Sequence, residues 1–185
     1  MAGQSATYVT LKNVRFSYVH AFEPYKSEVS DKAKYSVVVI IDKDDEETLE
    51  IIRKAVQAAY DKGVNTKWEG KKPKKWKNPL RDGDEDRDSE EYENSYFINA
   101  STLQRPAVVG RKGEALDAEE FYSGCYGAVS INFYPFSAKG NKGVAAGLNN
   151  LMKLRDGERL SGGPSASDDF SDLYSTEDDE GDDLL

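Results

Sequence analysis

The sequence predicts a mainly β protein, a small antiparallel barrel with one or two helices, and three observations carry that expectation. Residues 35–41 form a β-branched run, residues 49–59 carry one helical stripe, and residues 129–148 alternate in period two about a turn. The rest of the chain reads as an extended basic-aromatic insertion and a disordered acidic C-terminal tail.

Residues 1–6 read as a loose end. Tyr8 to Tyr18 reads as a strand in which Val9 and Leu11 share one phase and Val14, Phe16 and Tyr18 the other. The phase change near Asn13 predicts a bulge, which is how a strand turns a barrel corner. Val19 to Ser30 contains Pro24 and polar residues and reads as loop. Tyr35 to Ile41 is apolar on both faces, the mark of a central strand. Asp42 to Glu47 then supplies caps and first-turn acids for a helix. Leu49, Ile52, Val56 and Ala59 form its apolar stripe, and Gly63 is the expected stop.

Residues 62–81 change character. Lys62, Lys67, Lys71, Lys72, Lys74, Lys75, Lys77 and Arg81 oppose only Glu69, and Trp68 and Trp76 lie among them. Residues 82–93 reverse the sign, with acids at Asp82, Asp84, Glu85, Asp86, Asp88, Glu90, Glu91 and Glu93 against Arg87. A connection this long is usually functional or disordered. Asn94 to Ala100 reads as a third strand, with Tyr96 and Ile98 on one face and Phe97 and Asn99 on the other. Arg105-Pro106 and residues 110–113 mark loops, and Ala118 to Phe121 a helical turn.

In the final hairpin Val129, Ile131 and Phe133 point one way, and Ser130, Asn132 and Tyr134 the other. Residues 137–143 supply the turn, with Gly140-Asn141 suited to positive φ, and Val144 to Leu148 returns. Order is expected to fade near Leu160. This order of elements fits a small barrel and equally another α+β sheet.

Charge and composition bound the function. Of 34 acids, nine lie in residues 168–185, which hold no Lys or Arg; the 25 acids left balance the 25 bases. The body is therefore neutral, and local patches decide what it attracts. Cys125 and His20 are each single, which gives no support to a disulfide framework, a zinc centre or a histidine triad. No apolar run reaches the roughly 20 residues that span a bilayer. The start, MAGQSATYV, lacks a basic and apolar leader, so the cytoplasm is the expected compartment.

FYSGCYGAVSINFYPF followed by GNKGVAAGLNNLMKLRDGE resembles the signature of phage-encoded single-stranded DNA-binding proteins. TLKNVRFSYVHAFEPY, KYSVVVIIDK and PLRDGDE extend the resemblance over most of residues 7–160. It implies an OB-fold, similar to that of the helix-destabilising proteins of short-tailed coliphages, and no enzymatic reaction. The expected organisation is an OB-like DNA-binding domain over residues 1–160, with a charged insertion at 62–93, and a tail over 161–185. The implied setting is the cytoplasm of an infected host, in DNA replication and recombination.

Residue chemistry names the candidate contacts. Phosphates need cations and unpaired bases need flat partners. Trp68, Lys71, Lys72, Lys74, Lys75, Trp76, Lys77 and Arg81 offer both in the insertion. Tyr18 and Tyr134, with Arg105 and Lys139 at the rims, are candidates on the outer barrel face, where Tyr126 and Phe136 also fall. Tyr18 shares its phase with core residues, so a core role is the competing reading. No cofactor is expected. Asp82 to Asp88 brushes against a calcium-loop pattern, but Arg87 stands where the sharp turn needs Gly.

The tail ends in Asp178, Asp179, Glu180, Asp182, Asp183, Leu184 and Leu185. Its charge can occupy a basic groove, and its apolar tip can dock a polymerase, helicase or primase. An edge-strand or tail-exchange homodimer is compatible with the sequence. The alternatives are a protein-interaction module acting through the tail, and a metal-dependent nuclease built on the acidic cluster.

Overall fold

A computed structural model describes residues 6–26 and 32–160. The tail residues named above lie outside the described residues.

Strand β1 (Tyr8–Tyr25) pairs antiparallel with β2 (Lys34–Asp42). The helix α1 (Glu46–Thr66) follows, then the two-residue β3 (Arg81–Asp82), the single turn α2 (Gly83–Asp86) and a 3-10 turn at Glu90–Tyr92. Strands β4 (Ser95–Thr102), β5 (Ala107–Val109), β6 (Tyr126–Ala138) and β7 (Asn141–Arg155) complete the chain. Five of them close a barrel in the order β4-β2-β1-β6-β7, with β7 returning to β4. That last seam is parallel and short, Ala100 opposite Ala146 and Ser101 opposite Gly147. The expected OB-like barrel is therefore present, and β3 and β5 lie outside it as edges.

The bulge expected near Asn13 is there: Leu11 faces Val129 but Val14 faces Gly127, so β1 holds one extra residue. Val9, Leu11, Val14 and Phe16 then all reach the core. A second bulge corrects the loop expected from Val19. Ser17 faces Val38 and His20 faces Ser36, and the strand continues to Tyr25. Pro24 is tolerated because the β1–β2 ladder is irregular from His20 to Tyr25. Strand β2 is central, with Val37, Val39 and Ile41 in the main core and Val38 and Ile40 in a second cluster with Tyr92 and Phe97.

Asp45 caps α1, accepting from the Thr48 N–H at 3.2 Å and the Thr48 hydroxyl at 2.7 Å. Leu49, Ile52, Val56 and Ala59 are buried as the stripe requires. Gly63 does not stop the helix, which runs on to Thr66. It is instead a contact point: a Cβ there would lie 2.7 Å from both the Trp68 ring and Pro135. In the hairpin, the turn sits one residue earlier than expected. Lys139 (φ 50°) and Gly140 (φ 81°) take the left-handed region, and Ala138 pairs with Asn141. That is the two-residue turn whose twist matches a hairpin. Strand β7 extends beyond Leu148 to Arg155.

Candidate nucleic-acid interface

The outer face of the barrel is built from alternate residues of four strands. Strand β2 contributes Ser36 and Val38, β4 Asn99 and Ser101, β7 Ala145 and Gly147, and β6 Asn132 and Tyr134. Two shallow clefts meet on it. One is lined by Tyr18, His20, Tyr25, Ser36, Val38, Arg87, Asn99 and Ser101. The other is lined by Lys77, Asn78, Pro79, Arg81, Asn99, Ser101 and Ala145. Asn99 and Ser101 belong to both, so the floor is continuous across the β4–β7 seam.

Aromatic rings stand at the two ends of this strip. Tyr18 would point inward in an unbroken ladder, in phase with Phe16. At the bulge its backbone takes φ 45°, and its side chain is 47% exposed. A non-glycine residue held there costs of order 1–3 kcal/mol and persists only where its surroundings impose it. Val19 takes over the inward phase and packs on the core. His20 stacks on the exposed Tyr25, ring centroids 4.6 Å apart and planes 16° from parallel. Partial burial pulls the His20 pKa below its ordinary value. At the far end Tyr134 pairs with Ala145, is 41% exposed, and borders Gly147. Gly147 and Ala145 keep the floor low between these rings.

The insertion is not a free arm. Trp68, expected to be exposed, is 1% accessible, and its indole N–H donates to the Phe136 carbonyl at 3.0 Å. Trp68 is therefore a packing residue, not a base-stacking one. Tyr60 lies between the two indoles, 5.2 Å from Trp68 and 5.0 Å from Trp76. Its hydroxyl donates to the Pro73 carbonyl. Trp76 is half-buried against this pair. An alternation of Lys and Trp does not distinguish a free arm from one whose apolar rings are docked and whose cations face out.

Lys77 is then fixed to the hairpin: its N–H donates to the Lys142 carbonyl, and its carbonyl accepts from Val144. This close approach needs Gly143, where a Cβ would lie 2.6 Å from the Lys77 carbonyl oxygen. Lys77 and Lys142 are thus brought together near the turn that carries Lys139. Lys71, Lys72, Lys74, Lys75 and Lys77 are all exposed, and among the described residues none forms a salt bridge. Arg81 borders the second cleft and pairs with Asp86 at 2.9 Å. Arg105 is exposed in the β4–β5 connection. Tyr126 lies away from the strip, its ring covered by Arg155 at 3.8 Å and Arg15 at 5.1 Å.

Asp82, Asp84 and Asp86 of the acidic segment are spent on structure. Lys43 bonds Asp82 at 2.8 Å and Asp84 at 2.7 Å. The hydrogen bonds to Lys43 hold both carboxyls below their ordinary range, and the same bonds raise the Lys43 pKa. Asp84 also accepts from the Asn94 N–H. Among the described residues no three His, Cys, Asp or Glu side chains are grouped to hold a metal. No helix among them is long and apolar enough to cross a membrane.

Residues 156–160 are strapped beside β1. Arg15 donates to the Glu158 carbonyl, and the Leu160 N–H donates to the Ser123 carbonyl at 3.0 Å. The Ser123 hydroxyl accepts from the Val19 N–H, so Leu160 ends next to the bulge that presents Tyr18.

Sequence reasoning missed His20, Tyr25, Arg87 and Ser101. The first two fell in an expected loop, and Arg87 read as an interruption of an acidic run. The exposed phase of Asn99 was legible, and continuing it two residues would have found Ser101.

The family model described as the ssDNA-binding protein of Enterobacter phage Enc34 matches residues 7–185. A protein of Acyrthosiphon pisum secondary endosymbiont phage 1, "Putative protein p50", is 32% identical over 184 residues, covering 93% of this chain and 97% of that one. Among solved structures, the single-stranded DNA-binding protein of bacteriophage Enc34 in complex with ssDNA superposes with a TM-score of 0.75 at 28% identity. That match covers 85% of this chain and 91% of the other. Gp2.5 of bacteriophage T7, a single-stranded DNA-binding protein, shares the fold with a TM-score of 0.60 at 16% identity, covering 89% of this chain and 99% of its own.

Proposed function

The chain belongs to the family of the Enterobacter phage Enc34 ssDNA-binding protein, and from that premise we propose that it binds single-stranded DNA without reading sequence. It coats and protects unwound strands in phage replication and recombination, in the cytoplasm of the infected cell, and performs no reaction of its own. The observation that supports this best is the strip from Tyr18 and Tyr25 to Tyr134. Its floor is small and polar, rings stand at both ends, and lysines that form no salt bridge among the described residues flank it. Rings answer base faces and lysines answer phosphates, and neither depends on base identity.

In this reading Tyr18 and Tyr134 stack bases. Lys77, Lys139 and Arg81 follow the backbone beside them, and Lys71, Lys72, Lys74, Lys75 and Arg105 add outlying charge. Trp76 contributes as the half-buried support of that lysine segment. The test is a fluorescence-anisotropy titration of labelled oligo-dT and of a mixed-sequence strand across a salt series. Similar affinities are expected for both, falling with salt at a slope of about −0.7 per neutralised phosphate. A chain that ignores both strands in dilute buffer overturns the reading.

The tail supplies regulation and partners. Its acids compete with DNA for the lysine-flanked strip, and Leu184-Leu185 docks a polymerase, helicase or primase. The anchoring of Leu160 beside Val19 supports this, because it places the last described residue next to Tyr18. Deleting residues 168–185 is expected to tighten oligo-dT binding, most at low salt. Unchanged or weaker binding there would remove the competition.

A further inference from the structure

Arg87 is the one cation of the acidic segment 82–93, and it lines the groove beside Tyr18. Its guanidinium carbon lies 4.9 Å from the Phe97 ring centroid, 5.3 Å from Tyr92 and 5.7 Å from Tyr18. Three rings thus lie within reach of its charge, and the Tyr92 hydroxyl is itself tied to Ser17 under the bulge. We propose that Arg87 is a phosphate-anchoring residue of the groove, and that Lys43 is the positioning residue that holds it there. The inference rests on the DNA-binding reading above and deepens it.

The competing role is a lid that merely covers Tyr92 and Phe97. Its hydrogen bonding argues against that. A guanidinium carries five N–H donors in a fixed fork. Among the described residues the Arg87 side chain forms no hydrogen bond and no ion pair, although eight acids surround it in sequence. Three of these acids are committed elsewhere, Asp82 and Asp84 to Lys43 and Asp86 to Arg81, while the adjacent Asp88 is exposed and forms no ion pair among the described residues. A half-buried cation with no ion pair among the described residues, at the edge of an open groove, is matched by an anion that the ligand brings. Phosphate fits the fork, and Tyr18 beside it offers a face to the neighbouring base.

Lys43 acts at a distance. By gathering Asp82 and Asp84 it pins α2, and the Arg87 N–H donates to the Gly83 carbonyl at the start of that turn. Asn94 fastens the same knot, its N–H donating to Asp84 and its side-chain amide to Asp42 and Asp44. The acidic run therefore commits three of its carboxylates, Asp82, Asp84 and Asp86, to Lys43 and Arg81 while delivering one cation to the groove.

The test uses the full chain, oligo-dT and a salt series, with Arg87→Gln, Arg87→Lys, Lys43→Met and the Arg87→Gln/Lys43→Met double variant. Arg87→Gln is expected to weaken binding about tenfold and to reduce the magnitude of the salt slope by about 0.7, one phosphate. Arg87→Lys keeps the slope and loses affinity several-fold, because the point charge remains and the fork is gone. Lys43→Met weakens binding in the same direction, and the double variant is no weaker than Arg87→Gln alone.

Weaker binding with an unchanged slope in Arg87→Gln would reduce Arg87 to a support for Tyr18 and overturn the anchoring. Wild-type affinity in either Arg87 variant would do the same, and Arg87→Lys decides if Arg87→Gln fails to fold by circular dichroism. Additive losses in the double variant would overturn the role of Lys43. Failure of the wild-type chain to bind would instead overturn the DNA-binding reading itself.

Discussion

Trp68 fills the space over Gly63 and spends its indole N–H on the Phe136 carbonyl, which makes it a stability residue. Trp68→Ala is expected to cost about 3–5 kcal/mol in urea denaturation, the range for a large ring lost from a core. Any change in indole fluorescence on adding oligo-dT then reports chiefly on Trp76. His20 gives a pH signature. Its folded pKa lies below the ordinary 6.5, so the unfolded chain takes up the proton first as pH falls. Stability contributed by the neutral ring is present above pH 6.5 and declines below it. His20→Gln should flatten the melting temperature as pH falls below 6.5. Asp82 and Asp84 act in a separate window: their contribution is present above the ordinary carboxyl value of 3.8 and is lost as pH falls through their lowered values. A wild-type melting curve as flat as that of the Gln variant would remove the assignment to His20.

At the scale of elements, the hairpin and the insertion are expected to combine stability and binding in opposite ways. Lys139 occupies a left-handed position that an L-residue takes at a cost of roughly 1–2 kcal/mol, and Asn tolerates it better. Lys139→Asn should therefore raise the melting temperature while weakening oligo-dT binding modestly by loss of one charge. A stabilised variant with unchanged affinity would show that the turn does not reach DNA. The Lys74→Ala/Lys75→Ala pair should leave the melting temperature unchanged, since neither side chain is packed, and lower affinity in a salt-dependent way. Trp76→Ala should lower both, because Tyr60 loses a ring neighbour. The strands and α1 were legible because period and burial agree in them: Val129, Ile131 and Phe133 are inward, and Leu49, Ile52, Val56 and Ala59 are covered. The insertion was not, because docking of Trp68 depends on Gly63 and Pro135, and Pro135 is far away in the sequence.

For the whole molecule, the barrel order could not be read from the strands alone, since the same elements fit another α+β sheet. Closure is a long-range fact: β1 finds β6, and β4 finds β7. The groove inherits that distance. Tyr18, Asn99 and Tyr134 come from three separate regions of the chain, and only the closed barrel makes them neighbours along one strip. Tyr18 enters it through a left-handed kink that no period predicts. The β4–β7 seam has a further effect. It rests on Ala100–Ala146 and Ser101–Gly147, the thinnest join in the barrel, and the strip lies directly over it. On the proposed binding mode, a strand of nucleic acid lying there would work as a suture between the early and late parts of the polypeptide. Occupancy should slow hydrogen exchange at Ala146 and Gly147 more than at the broad β6–β7 ladder, so the weakest joint becomes the most sensitive gauge of loading.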